Sequence, residues 1–100
     1  MAYALDGTTV NPIEIKATRT RLGLTQTQFA QLLGAHPLTV WKWEKGDLQP
    51  TLHQQGLITS FGKASQNKEN IGSEVGALLV TAGVVVAIYA LLHAAFGDQK

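Results

Sequence analysis

Between Gly23 and Pro50 the chain reads GLTQTQFAQLLGAHPLTVWKWEKGDLQP, and its start and stop signals admit little except two short capped helices joined by a tight turn. Thr25 and Gln28 have the spacing of a capping box, in which hydroxyl and carboxamide satisfy backbone N–H groups left unpaired at a helix start. Phe29, Leu32 and Leu33 follow at i, i+3 and i+4, and Gly34 ends the helix because a residue without Cβ accepts positive φ. His36-Pro37 opens the next helix with proline at its first position, where the missing N–H has no role. Val40, Trp43 and Leu38 or Trp41 divide between its buried and outward faces, and Gly46 and Asp47 close it.

The flanks extend this pattern. Asn11-Pro12-x-Glu14 supplies a cap, a proline and an acid, so a first helix is expected from Pro12 to about Leu22, ended by Gly23. Pro50-Thr51 starts a fourth helix with an apolar stripe of Leu52, Leu57, Ile58 and Phe61, which fades at Gly62 into the polar run KASQNKEN. The expected fold class is all-α: a compact domain of four to five helices over residues 12–66, preceded by an arm at 1–11 and followed by a linker at 67–73. In the arm, Tyr3, Leu5 and Val10 are candidates to pack on the domain.

One hundred residues at 45% hydrophobic suit one small domain, yet the last third holds far more than its share of the apolar side chains. From Val75 to Phe96 run 22 residues without a formal charge. As one helix, within 74–97, they would extend about 33 Å, enough for a bilayer core of about 30 Å. A membrane span and a helix buried between subunits are the two expectations. A helix folded onto the same domain is disfavoured, since one apolar all round needs cover on every side. Thr81, Tyr89 and His93 are tolerable in a span, and Lys63 and Lys68 before it favour a cytoplasmic N-terminal domain anchored in the cell membrane. Gly76, Gly83, Ala90 and Gly97 recur every seven residues, with Val80, Ala87 and Ala94 between them. So small a seam suits helix self-association, with Gly76, Gly83, Ala87, Ala90 and Ala94 as its contact residues. Residues 98–100 are a tail.

The order of Arg19, Gly23-Leu24-Thr25-Gln26, Phe29-Ala30, Leu32-Leu33-Gly34, Thr39-Val40, Trp43-Glu44-Lys45-Gly46 and Pro50 resembles the helix-turn-helix of Cro and the phage repressors, the XRE family. The resemblance covers roughly residues 12–62 and implies a lambda-repressor-like fold whose second motif helix enters a DNA major groove. It implies an ion pair between Arg19 and Glu44. It also implies a phosphate contact from Gln26, with Thr39 and Lys45 on the backbone and base contacts from His36, Pro37, Leu38, Trp41 and Lys42. Lys42 can donate to guanine O6 or N7, while Leu38 and Pro37 offer only apolar contact, as to a thymine methyl. Trp43 matches the family's core aromatic. Trp41 matches an exposed position, open to DNA, to a partner protein or to the domain's own surface, and His36 has an alternative role as a helix cap.

Charge alone does not point to nucleic acid: residues 1–70 carry seven Lys or Arg against five acids, a net of +2. There is no cysteine for a disulfide or a thiolate metal site, and His36, His53 and His93 are far apart. MAYALDGTTVNP has neither a basic nor an apolar signal region. No carboxylate pair, activated nucleophile or phosphate loop appears, so neither an enzyme nor a cofactor is expected. The expected function is a DNA-binding transcriptional regulator that acts as a dimer, tethered to a membrane by its last helix. The alternatives are a membrane-anchored protein-interaction module, resembling in architecture the cell-shape protein RodZ, and a soluble self-assembling structural protein.

Overall fold

The computed structural model describes residues 10–97; the expectations for Tyr3, Leu5 and the tail at 98–100 lie outside the described residues. Six helices and no strand occur among them: α1 Pro12–Arg21, α2 Gln26–Leu33, α3 Pro37–Lys45, α4 Leu52–Asn67, α5 Ile71–Thr81 and α6 Val84–Phe96.

The punctuation acts as local chemistry dictates. Asn11 with Glu14, Thr25 with Gln28 and Thr51 with Gln54 each form a reciprocal capping box, fixing the starts of α1, α2 and α4. Gly34 and Gly46 sit at φ 66° and 87° as the left-handed ends of α2 and α3, and Ala35 N–H returns to the Ala30 carbonyl at 2.9 Å. α4 runs past Gly62 to Asn67 because Ala64, fully buried, continues the stripe of Ile58 and Phe61. The connection at 67–73 accordingly shrinks to the three residues between Asn67 and Ile71, turned by Asn70 at φ 70°.

The largest departure from expectation lies in the apolar tract. It is two helices rather than one, broken at Ala82 and at Gly83, whose φ of 102° and ψ of 174° suit a residue without Cβ. Both Ala82 and Gly83 N–H groups end on the Leu78 carbonyl, each at 2.8 Å. The chain then folds back, so that α5 and α6 cover one side of each other while α6 also packs on α4 and α2. The objection that such a helix needs cover all round fails here, because each short helix buries one stripe and leaves its opposite stripe open. Ile71, Val75, Ala87, Leu91 and Ala95 join Phe29, Leu32, Val40, Trp43, Ile58 and Phe61 in a single core. Phe29 and Phe61 meet edge to face, their ring centres 6.5 Å apart.

Small residues set this packing. Ala87 and Ala95 let α6 approach α4, and Asn67 Nδ2 donates to the Ala95 carbonyl at 3.1 Å, satisfying one of the acceptors left open at the end of α6. At the same open end of the hairpin, a Cβ on Gly72 would collide with the Leu22 carbonyl, so the start of α5 presses against the exit from α1. Of the residues expected in the self-association seam, Gly83 forms the turn and Ala87 is wholly buried within its own molecule. Ala94 packs against the core, while Gly76 and Ala90 are half-buried. Among the described residues no helix is long and apolar enough to cross a membrane.

Candidate nucleic-acid interface

α2 and α3 meet across the turn at Gly34 because Ala30, 1% exposed, presents only a methyl group between them. Val40 and Trp43 point into the core, and this orientation fixes what α3 shows outside. Leu38, Trp41, Lys42 and Lys45 follow at i, i+3, i+4 and i+7, forming one exposed stripe along the helix. Two of its four members are cationic, and two are large and apolar: Leu38 is 51% and Trp41 43% exposed. α3 packs against α2 and α1, whereas α6 lies on α4, α5 and α2, so the hairpin leaves the stripe open.

Beneath the stripe lies a polar clamp. Arg19 Nε donates to Glu44 Oε2 at 2.6 Å and Arg19 Nη2 to Glu44 Oε1 at 3.0 Å, a two-pronged pair whose side chains are 14% and 7% exposed. Arg19 Nη1 also donates to the Leu24 carbonyl at 3.1 Å, so one guanidinium joins α1, the loop before α2 and the end of α3. Gln26 completes the clamp, its Nε2 donating to Glu44 Oε1 at 3.1 Å. Spacing alone does not disclose that link, since residues 18 apart in sequence meet only once α2 and α3 have packed. It holds the carboxamide of Gln26 at the first turn of α2, where backbone N–H groups lack intrahelical acceptors and attract anions.

The other candidates fall into place around the stripe. His36 caps α3, with Nδ1 accepting from Leu38 N–H at 3.0 Å, so only Nε2 is free to face a ligand. Pro37 and Thr39 are half-buried beside the stripe. Lys45 Nζ lies 4.0 Å from the centre of the Trp41 ring and 3.4 Å from Asp47 Oδ2. The i, i+4 spacing of Trp41 and Lys45 is a signal from which this cation–π contact is readable. It answers how Trp41 is held: its face is taken by Lys45. Among the described residues no group of His, Asp or Glu is placed to hold a metal ion.

The helix-turn-helix family model matches residues 15–54, which span α1 from its second turn through the start of α4. No curated protein and no solved structure matches the chain. The capped α2, the left-handed Gly34, the buried Ala30 and the Arg19–Glu44 clamp all fall within the matched residues. Residues 15–54 are thus similar to a helix-turn-helix domain.

Proposed function

We propose that the chain is a DNA-binding transcriptional regulator, working in the cytoplasm as a dimer, with α3 laid in the major groove. The observation that carries this is the open stripe of Leu38, Trp41, Lys42 and Lys45 on the second helix of the motif, braced from behind by the Arg19–Glu44–Gln26 clamp. Lys42 donates to guanine O6 or N7, Leu38 and Pro37 meet thymine methyls, Trp41 packs on sugar and base edges, and His36 contributes through Nε2. Gln26, Thr39 and Lys45 hold phosphates, and Lys45 leaves Asp47 to do so. Two such helices address half-sites about 34 Å apart.

A membrane tether does not enter this reading. α5 has 11 residues and α6 has 13, or about 17 and 20 Å of helix against a bilayer core of about 30 Å.

Selection of duplexes from a random pool, followed by a mobility-shift assay, tests the reading. The full chain is expected to enrich a two-fold-related site. Lys42→Ala should weaken that site about tenfold to a hundredfold and relax the base preference at one position in each half. Binding should fall steeply with added salt, because phosphate contacts release counterions. A pool that stays random at low salt would overturn the reading in favour of a protein-interaction module.

A further inference from the structure

On α6 the stripe opposite the buried Ala87, Leu91 and Ala95 consists of Val85, Tyr89, Leu92 and Phe96. Val85 is 80%, Tyr89 68% and Phe96 43% exposed, and Leu92 is half-buried between them. Their spacing is four, three, four, the interval at which one helix meets another along a seam. We infer that this stripe is the contact by which two copies of the chain pair, α6 antiparallel to α6 of the second copy.

The order of the side chains favours a second copy over any other apolar partner. A spacing of four, three, four reads the same from either end. An antiparallel copy centred between Tyr89 and Leu92 sets Val85 against Phe96 of its mate, and Tyr89 against Leu92. Each layer then joins one aromatic to one aliphatic side chain. Two large rings never meet, nor do two small groups leave a gap, and the two-fold axis repeats each layer. A parallel copy instead sets Tyr89 on Tyr89 and Phe96 on Phe96. The stripe itself carries no formal charge, since none occurs from Val75 to Phe96, and the one cation against it is Lys63, whose Nζ lies 4.7 Å from the centre of the Phe96 ring at its end.

With Val86 alongside, the stripe opens on the order of 500 Å² of apolar surface. That is below the roughly 800 Å² per partner of a standard stable interface, so the pairing is concentration-dependent. The inference rests on the reading of the chain as a dimer, and it moves the contact from the small-residue seam to the opposite face of α6.

Sedimentation velocity of the full chain across a wide concentration range, without DNA or detergent, tests it. The chain is expected to pass from monomer to dimer. Val85→Glu and Phe96→Lys should each weaken dimerisation at least about tenfold, with unchanged helical content, because each places a charge in an apolar layer. The two changes combined should restore dimerisation, since antiparallel pairing sets the introduced carboxylate of one copy against the introduced ammonium of its mate. A chain monomeric throughout, dimers indifferent to the single changes, or a double variant no better than the singles would each overturn the pairing. Partition of the chain into neutral phosphatidylcholine vesicles in place of dimerisation would overturn it too. Binding to a duplex with one half-site is measured separately, so loss of the dimer and loss of DNA recognition are told apart.

Discussion

Glu44→Ala is expected to destabilise the domain by about 3–5 kcal/mol, because it leaves the Arg19 guanidinium largely buried with one remaining acceptor, the Leu24 carbonyl. Three hydrogen bonds disappear with the carboxylate, two from Arg19 and one from Gln26. Urea titration of the full chain measures the cost. Arg19→Met combined with Glu44→Leu should lie much closer to wild type than either single change, since apolar groups of similar size leave no charge stranded. Additive losses in that cycle would mean that the two charges are already solvated. Glu44→Gln keeps the shape but not the charge, and should show a smaller loss of stability alongside weaker DNA binding, because Gln26 loses its charged anchor.

The second large effect belongs to the C-terminal hairpin. Leu91→Ala removes a fully buried side chain from the core that α6 shares with α4 and α2, and should cost about 2–5 kcal/mol. The informative readout is where that loss is felt. In a Trp41→Phe background Trp43 is the sole indole, and it lies on α3, outside the hairpin. If one core joins all six helices, Leu91→Ala lowers the midpoint of the Trp43 fluorescence transition and of the far-ultraviolet circular dichroism transition together. A Trp43 transition that stays put while part of the helical signal melts early would show the hairpin to be a separate appendage.

These two changes divide what the sequence discloses from what it conceals. Helix starts are legible because a capping box is local chemistry: Thr25 needs only Gln28, three residues on, to act. The pairing of Arg19 with Glu44 crosses 25 residues and is readable only through the resemblance to other helix-turn-helix chains. The bond from Gln26 to the same carboxylate has no counterpart in spacing at all.

The apolar tract misleads for a physical reason. Hydropathy counts side chains and is nearly blind to one glycine in extended backbone of positive φ, yet Gly83 decides between a long helix and a hairpin. Gly and Ala are also ambiguous on their own, since a small residue permits close approach whether the neighbouring helix belongs to the same chain or another. Ala87 approaches its own domain, and Gly72 its own α1. Only the buried stripe of α6 reveals which face remains for a partner.

The claim that α3 reads DNA is tested most directly by amide chemical-shift mapping of the full chain, titrated with a duplex chosen by selection. The largest changes are expected on His36 to Lys45 and on Gln26 and Thr27, with the Trp41 indole among the most shifted and α5 unperturbed. Changes centred on α5 and α6, with α3 silent, would contradict it.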